Sequence, residues 1–509
     1  MRISPEKPAF ATAYAEGRNQ AVWAQVVADM DTPVSLMLKL TDAGQNSFLL
    51  ESVTGGEIRG RYSVIGYDPD LIWRCHGHAA EINRRAAEDV ERFEPDALPS
   101  LESLRALIAE SRIDLPDELP PMAAGLFGYL GYDMIRLVER LPEPNPDPLG
   151  LPDAIMLRPA LVAIVDNVRD MVTLVAPVWH DADVPAEKAY EAATARLTRA
   201  LEAIYQAPAH GTPVTAVTEA AARRIDPVSN TTHGEFLEIV ERAKAYVRAG
   251  DVFQVVPSQR WALPLDVQPF ALYRAVRRIN PSPYLFFFNL SDGASETGGG
   301  FQIVGASPEI MVRVRDGKVT IRPIAGTRPR GVTPAEDTAL EEDLLADPKE
   351  RAEHLMLLDL GRNDVGRVAK IGTVDPNEQF TVERYSHVMH IVSNVDGELS
   401  DDHDALSALL AGLPAGTVSG APKIRAMEII DELEKEKRGV YAGAVGYFSA
   451  AGEMDTCIAL RTGVVKDGTL YVQAGGGIVY DSDPESEFQE TVNKSKALMH
   501  AAAVARNFN

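Results

Sequence analysis

The sequence is short of cysteine, of positive charge and of long apolar runs, and each shortage argues against a class of protein. Two cysteines among 509 residues, Cys75 and Cys457, do not support a disulfide framework and favour a reducing cytoplasm. Fifty lysines and arginines against 74 aspartates and glutamates give a net charge of −24, which argues against nucleic-acid or anionic-membrane partners. No apolar run approaches the roughly 20 residues of a membrane span, and the first residues lack the apolar core of a signal peptide.

The length indicates more than one domain, since 509 residues exceed the size of a single ordinary domain. Residues 1–20 have the composition of a loosely held tail. Residues 206–230 contain few large apolar side chains and are punctuated by prolines, which is typical of a linker. We therefore predict a first domain over residues 21–205 and a second over residues 231–509.

Strand and helix patterns occur without the strict alternation of a doubly wound sheet, so the sequence predicts an α+β fold. Residues 34–38 and 47–50 have the pattern of strands, and residues 159–178 that of a hairpin. Thr232 and Glu235 form a capping box, which predicts the start of a helix. Further strands are predicted over residues 252–261, 284–290, 388–395, 443–449, 457–465 and 469–474, with a hairpin over 311–324 and a helix over 349–360.

The last glycine run of the chain leads into Asp483-Pro484, which is typical of a helix start with aspartate as N-cap and proline at the first position. Glu487, Glu490 and Lys494 follow at spacings of three and four and therefore share one helix face. Two carboxylates and an ammonium on one face could hold a hard cation and an anionic small molecule together. An ordinary solvated face with an i,i+4 Glu–Lys pair is the alternative.

Five segments of the second half are rich in glycine, threonine, serine and arginine. Each alone is typical of a turn, but five in one domain indicate a site, because glycine permits close backbone approach and N–H groups and arginine bind carboxylates. The segments are Pro323–Gly331, Gly416–Lys423, Tyr441–Tyr447, Ile458–Gly463 and Gln473–Gly477.

Two further residues could carry chemistry. Glu353 lies on a predicted helix among leucines, where it is either an exposed position or an inward-facing metal ligand. His390 lies in a strand pattern, where it is either a satisfied core residue or a proton-transfer group. We interpret the charge runs 336–343 and 431–438 as solvated helix faces.

In chain order, these motifs resemble those of the chorismate-utilising enzymes over residues 230–509. The segment Phe48–Gly66 resembles the amino-terminal domain of anthranilate synthase component I, the large chorismate-binding subunit. Ala325 supports this choice, because a lysine usually replaces it in aminodeoxychorismate synthases. Gln254 matches the position at which isochorismate and salicylate synthases use a lysine to activate water, so attack by ammonia is favoured.

The resemblance implies a fold and a set of roles. The fold would have an antiparallel β-sandwich core flanked by helices, with an intimately packed N-terminal domain. Glu353 and Glu490 would bind Mg²⁺, with Glu487 as a third or water-mediated ligand. The implied catalytic residues are His390, Thr417 and Gln254. The implied substrate-binding residues are Gly326, Thr327, Tyr441, Arg461, Gly475, Gly476, Gly477 and Lys494.

The resemblance also implies a reaction and partners. Chorismate and ammonia would give anthranilate and pyruvate, the first step of tryptophan biosynthesis, with ammonia supplied from glutamine by a separate amidotransferase subunit. L-Tryptophan would inhibit by binding Leu50, Glu51, Ser52, Asn280, Pro281, Ser282, Pro283 and Tyr284. The rival functions are an aminodeoxychorismate synthase component I, which retains the pyruvyl group, and a non-catalytic tryptophan-sensing subunit.

Overall fold

The computed structural model describes residues 2–52, 60–206, 226–291, 299–385 and 388–508. Helices and antiparallel strands are mixed throughout these ranges, which confirms the α+β prediction. None of the helices in the described ranges is long and apolar enough to cross a membrane.

In its described residues, the first half of the chain is dominated by strands, with four α-helices on their flanks. Its elements are β1 (Ile3–Ser4), α1 (Lys7–Ala15), β2 (Gln20–Val27), α2 (Pro33–Thr41), β3 (Ser47–Glu51), β4 (Tyr62–His76), β5 (Ala79–Asn83), β6 (Glu94–Pro99), α3 (Ser100–Glu110), β7 (Gly125–Leu130), β8 (Ala154–Asp166), β9 (Met171–Val178) and α4 (Ala186–Ile204), as far as this half is described.

The second half contains the remaining strands and the longest helix of the described residues. Its elements are β10 (Val228–Ser229), α5 (His233–Ala249), β11 (Gln254–Val255), β12 (Ser258–Pro264), α6 (Pro269–Ile279), β13 (Tyr284–Ser291), β14 (Gly300–Ser307), β15 (Ile310–Arg315), β16 (Lys318–Ile321), β17 (Ile324–Pro329), α7 (Pro334–Ala346), α8 (Pro348–Gly366), β18 (Asp375–Arg384), β19 (Val388–Glu398), α9 (Ala405–Gly412), β20 (Gly420–Ala421), α10 (Lys423–Leu433), β21 (Ala444–Ser449), β22 (Met454–Ile458), β23 (Thr462–Lys466), β24 (Thr469–Gly475) and α11 (Pro484–Val504).

The two halves share hydrogen-bonded strands. β3 pairs with β13, which sets Glu51 opposite Leu285, and β7 pairs with β21. Across this junction the Phe48 ring stacks on Phe288 with centroids 5.4 Å apart. The N-terminal part is therefore packed intimately against the rest. The boundary at 206–230 stays a prediction, because residues 207–225 lie outside the described ranges.

Residues 2–20, the described part of the predicted tail over residues 1–20, are not loosely held. β1 pairs with β2, and α1 buries Phe10 and Tyr14 in the core. The Phe10 ring lies 5.2 Å from the ring of Tyr190 on α4. Burial of these aromatic side chains against a helix far along the chain stabilises the segment, and such a contact leaves no local signal in the sequence.

The predicted strand over residues 34–38 is wrong, because this run lies inside α2. Thr32 accepts a hydrogen bond from the Ser35 N–H, the Ser35 hydroxyl accepts one from the Thr32 N–H, and Pro33 takes the first helical position. These start signals outweigh the apolar run, whose periodicity alone does not separate a short strand from a buried helix. The strand over 47–50, the hairpins over 159–178 and 311–324 and the capping box at Thr232 are confirmed.

The predicted strand over residues 457–465 is interrupted. β22 ends at Ile458 and β23 begins at Thr462, and Arg461 between them has a φ of 47°. A continuous strand would alternate its side chains between the two faces of the sheet. The break frees Arg461 from this alternation, and its side chain lines the cavity described below.

The charge run over residues 431–438 is only in part a solvated face, since Glu432 and Lys435 are exposed whereas Glu434 and Arg438 are buried. Arg438 and Glu434 form an ion pair whose side chains are 2% and 5% exposed. The Arg438 guanidinium also donates to the carbonyls of Val256 and Val418, each at 2.6 Å. Glu434 accepts hydrogen bonds from the backbone N–H and the hydroxyl of Ser258, both at 2.8 Å. The pair therefore joins three separate segments of the second half.

Replacing Arg438 by methionine is expected to lower the free energy of unfolding by about 3–5 kcal/mol, because the Glu434 carboxylate would remain buried without its counter-ion. Denaturant unfolding followed by circular dichroism measures the loss. Arg242→Met is the matched control, since Arg242 pairs with Glu432 on the protein surface, where side chains are 52% and 47% exposed, and such a pair contributes about 1 kcal/mol or less. Equal losses in the two variants would contradict the structural role of the buried pair.

Candidate active site

One cavity of about 540 Å³ lies where the strands of the second half meet α8 and α11. It brings together residues that are far apart in the sequence and that the sequence analysis singled out. They are Gln254, Gly326, Thr327, Glu353, His390, Thr417, Tyr441, Arg461, Gly475, Gly477, Glu487, Glu490 and Lys494. Gly476 is not among the lining residues, and its N–H donates to the Pro257 carbonyl at 3.2 Å.

Two helices supply a cluster of carboxylates. α11 starts where predicted, with the Asp483 side chain accepting a hydrogen bond from the Ser486 N–H and Pro484 at the first position. It presents Glu487 and Glu490, while α8 presents Glu353 and one residue that the sequence analysis missed, Glu350. Glu350 precedes Glu353 by three residues, so helical spacing was the signal that could have found it.

The carboxylates have few positive partners in the cavity. Lys494 bonds to Glu490 at 2.7 Å and donates to the Gly475 carbonyl at 3.1 Å. The Gln254 amide donates to Glu353 at 3.3 Å. The predicted Glu–Lys pair on α11 is therefore present, but it lies in the wall of a cavity rather than on a fully solvated face.

Burial raises the pKa of both Glu353 and Glu487. The neighbouring Glu490 carboxylate adds to the rise in both, while the Gln254 hydrogen bond opposes it in Glu353. Carboxylates that are desolvated and repel one another favour an added cation.

The chemistry of these donors fits a hard divalent cation. In the described part of the chain, no three acidic, histidine or cysteine side chains are gathered closely enough to enclose a metal ion by themselves. Mg²⁺ does not require such a cage, because it binds through one or two carboxylates and keeps several waters or substrate oxygens. The oxygen donors of Glu353, Glu487 and Glu490 suit it.

A second group of lining residues suits a carboxylate ligand. Burial lowers the pKa of the Arg461 guanidinium, but arginine stays charged at neutral pH. Burial raises the pKa of Tyr441 to about 12, so its hydroxyl remains a neutral donor. A Cβ atom at Gly475 would lie 3.1 Å from the Tyr441 oxygen and 2.7 Å from the Pro257 carbonyl, so only glycine fits there. Charged and neutral donors beside an open backbone are suited to bind an anion.

His390 is positioned by β17 and β19. Its Nδ1 lies 2.9 Å from the Gly326 carbonyl, which can only accept, so Nδ1 carries the proton. The Thr327 hydroxyl lies 3.1 Å from the same nitrogen. Burial lowers the pKa of His390, and the bond to Gly326 opposes the change. The imidazole is therefore neutral at physiological pH, with its lone pair on Nε2, and can act as a base.

The sequence analysis also missed Glu309, which lies between β14 and β15 and lines the same cavity. Its side chain is buried, and burial raises its pKa to about 8. Thr417 is its hydrogen-bond partner, with the hydroxyl 3.2 Å from both carboxyl oxygens. A single Glu after Ser-Pro looks like an ordinary turn, so the sequence carried no signal. In the structure it is a carboxylic acid that is protonated at neutral pH.

The eight residues predicted to bind tryptophan lie elsewhere, and none of them lines the cavity. Strand pairing between β3 and β13 brings their two groups together, with Glu51 beside Leu285. The Glu51 carboxylate is buried and already accepts hydrogen bonds from Arg277 at 2.6 and 3.1 Å and from the Tyr273 hydroxyl. If the ammonium group of tryptophan bound to Glu51, it would therefore have to share this carboxylate with Arg277.

The chain is similar to known proteins over nearly its whole length. A family model described as chorismate binding enzyme matches residues 46–500. The chain is 64% identical over 499 residues to the anthranilate synthase component 1 of Cereibacter sphaeroides, covering 98% of this chain and 97% of that protein. It is 50% identical over 486 residues to the protein of the same name from Pseudomonas aeruginosa, covering 94% and 95%. The crystal structure of anthranilate synthase component I from Streptococcus pneumoniae superposes with a TM-score of 0.73 at 36% identity, covering 93% of this chain and 98% of that chain.

Proposed function

Because the chain belongs to the chorismate binding enzymes and, within them, to the anthranilate synthase component 1 proteins, we propose that it converts chorismate and ammonia into anthranilate and pyruvate. The side chain of Gln254 is the observation that supports ammonia, rather than water, as the nucleophile. Its Nε2 donates to Glu353, and among the described residues its buried Oε1 has no hydrogen-bond partner. An amide oxygen cannot act as a base toward water, but it can accept a hydrogen bond from ammonia and orient it.

Gln254 is held in place by its surroundings. β11 pairs with β20, which sets Gln254 opposite Ala421. A Cβ atom at Gly477 would lie 2.2 Å from the Gln254 Nε2, so the glycine run leaves room for this side chain. The nucleophile would thus be positioned by backbone on one side and by the amide on the other.

In the first half-reaction, ammonia adds to the ring and the ring hydroxyl departs. Hydroxide is a poor leaving group, so a proton must reach it as the bond breaks. Glu309 holds such a proton at neutral pH, because burial raises its pKa to about 8. After the transfer Glu309 is a carboxylate, to which the Thr417 hydroxyl and the Ile324 N–H can donate.

In the second half-reaction, a ring proton is removed and the bond between the ring and the enolpyruvyl oxygen breaks, so that the ring becomes aromatic. The released enolpyruvate takes up a proton from solvent and becomes pyruvate. The elimination needs a base for the ring proton at the carbon that carries the new amino group. The neutral His390, with its lone pair on Nε2, is the base we assign to it. Arg461 and Tyr441 would bind the enolpyruvyl carboxylate, with Gly326, Thr327 and the backbone of Gly475 and Gly477 lining the substrate.

Glu353 and Glu490 would hold Mg²⁺, with Glu487 as a third or water-mediated ligand and Glu350 near it. When bound, the ion supplies positive charge that neutralises these acids and binds the ring carboxylate. Lys494, which bonds to Glu490 in the present structure, would add positive charge beside the same carboxylate.

Ammonia would come from a separate glutamine amidotransferase subunit. Both cysteines of the chain are buried, and burial raises the pKa of Cys75 to about 12 and that of Cys457 further. A thiol that stays protonated is a poor nucleophile, so neither cysteine is suited to release ammonia from glutamine.

We expect the purified chain to make anthranilate and pyruvate in equal amounts from chorismate, Mg²⁺ and ammonium salts, and to make neither from glutamine. Anthranilate fluorescence and a coupled pyruvate assay measure the two products. An aminated product without pyruvate would identify an aminodeoxychorismate synthase instead, and glutamine-dependent product would contradict the separate amidotransferase.

A tryptophan titration in the same assay tests the regulatory proposal, in which ligand binding where β3 and β13 meet shifts a conformational equilibrium.

A further inference from the structure

A small chamber lies behind Glu309, against the helix α8. It has a volume of about 20 Å³, which is room for about one water molecule. Glu309 and Thr417 line both this chamber and the large cavity, so they form the wall between them. The far side of the chamber is lined by Gly361 and Asp364.

Asp364, which lines the chamber, is a buried carboxylate. The residue is 4% exposed, and its Oδ2 accepts a hydrogen bond from the Lys423 ammonium at 2.9 Å. Within the described residues, its Oδ1 has no hydrogen-bond partner. An orphaned buried carboxylate oxygen is costly unless a water completes its hydrogen bonds. A water in the chamber would do so.

We propose that one buried water in this chamber links Asp364 to Glu309 and keeps the transferable proton on Glu309, so that Asp364 is a positioning residue for the reaction. The inference rests on the proposed function, in which Glu309 is the acid. In the linked arrangement the Glu309 hydroxyl donates to the water, and the water donates to the Asp364 carboxylate. This donor direction exists only while Glu309 is protonated, and ionised Glu309 would leave the water between two carboxylates that repel each other.

The other groups that face Glu309 act in the opposite sense. The Thr417 hydroxyl, the Ile324 N–H and the Lys494 ammonium all favour the ionised form and lower the pKa of Glu309. Burial raises the pKa of Asp364, but Lys423 and Arg367 oppose the rise and favour its carboxylate. A negative charge reached through one water favours the protonated form of its neighbour.

Asp364→Asn tests the link. Lys423 would donate to the amide oxygen, so the amide N–H groups would face the water and donate to it. The water would then donate to Glu309 and favour the ionised form of Glu309. We expect the pKa of Glu309 to fall by about one unit. The readout is the infrared carbonyl stretch of a protonated carboxylic acid in the protein without substrate, titrated between about pH 6 and pH 10 and assigned by its absence in Glu309→Gln.

Gly361→Ala closes the chamber and has a matched control. An added Cβ at Gly361 would lie 3.5 Å from the Ile321 methyl and 3.8 Å from Pro323, without a clash, and both neighbours line the chamber. On the same helix, a Cβ at Gly366 would meet only Val374, at 4.0 Å. In the Gly366→Ala background, Asp364→Asn should shift the Glu309 pKa by as much as it does in the wild-type background. In the Gly361→Ala background, we expect less than half of that shift.

The outcomes separate this inference from the proposed function, because the infrared titration needs no substrate. An unchanged Glu309 pKa in Asp364→Asn, or equal shifts in the two alanine backgrounds, would overturn the water link even in an active enzyme. Conversely, a protein that makes no anthranilate but shows the shift would refute the function and retain the link. A high-resolution crystal structure gives an independent check that needs no variant, since an ordered water must lie between Asp364 Oδ1 and Glu309, and an empty chamber refutes the proposal.

Discussion

Glu490→Gln is expected to reduce the turnover of chorismate by about 10²–10⁴-fold, because a divalent ion held by this carboxylate would supply several kcal/mol of charge stabilisation. The variant removes one charge and keeps the shape of the side chain. Lys494 would lose its ion pair with residue 490 but keep its bond to the Gly475 carbonyl. The loss should therefore come from weaker Mg²⁺ binding and should be partly restored at high Mg²⁺ concentration.

The measurement is the Mg²⁺ dependence of anthranilate formation, together with Mg²⁺ binding by calorimetry in the presence of chorismate. Glu485→Gln is the matched control. Glu485 lies on α11 five residues before Glu490, is 63% exposed and pairs with His233 on the surface, so its removal should leave both quantities unchanged. If Glu490→Gln and wild type showed the same half-saturating Mg²⁺ concentration, the assignment of Glu490 as a ligand would fail.

Glu309→Gln is expected to lower turnover by about 10²–10⁴-fold, the usual contribution of a general acid. The glutamine side chain keeps the shape and can still bond to Thr417, but it has no proton to transfer. The wild-type enzyme should be active while Glu309 is protonated and should lose activity as the pH rises through about 8, the pKa of this group. The readout is turnover against pH at a constant concentration of free ammonia. A Glu309→Gln variant with near wild-type turnover would exclude this residue as the acid.

The stability of the same variant provides the folding control. The pKa of Glu309 is raised in the folded state, so between about pH 4.5 and pH 8 the folded protein holds a proton that the unfolded chain releases. The protonated carboxyl therefore contributes stability that is fully present below the unfolded pKa and is lost as the pH rises through the folded one. Glu309→Gln cannot ionise and should unfold at a higher temperature than wild type at pH 9. A lower unfolding temperature there would show that lost activity reflects damage to the fold.

Local sequence signals predicted the structure correctly wherever the conformation of a segment depends on its own residues. The start of α11 follows from Asp483 and Pro484, and the start of α5 follows from the capping box at Thr232. The shared face of Glu487, Glu490 and Lys494 follows from helical spacing alone. In contrast, the apolar run at 34–38 fits either a strand or a helix, and hydrogen bonds of Thr32 and Ser35 decided it.

The site itself needed more than local chemistry. The resemblance to a family selected most of the lining residues, but it did not reveal Glu309, Glu350 or the buried ion pair of Glu434 and Arg438. Glu309 follows an ordinary Ser-Pro turn, and the pair sits in a charge run that looks solvated. Each is buried by chain segments that are distant in sequence, and no periodicity of apolar residues in the sequence indicates such burial.

The sequence by itself determined which side chains are available and where helices carrying the acids begin, because capping and helical spacing are short-range effects. Only the tertiary structure decided which of those side chains lose their water. Burial raises the pKa of Glu309 and keeps His390 neutral, and among the described residues it leaves the Gln254 Oε1 without a hydrogen-bond partner. Desolvation depends on every segment packed around a group, so the protonation states on which the chemistry depends belong to the folded chain.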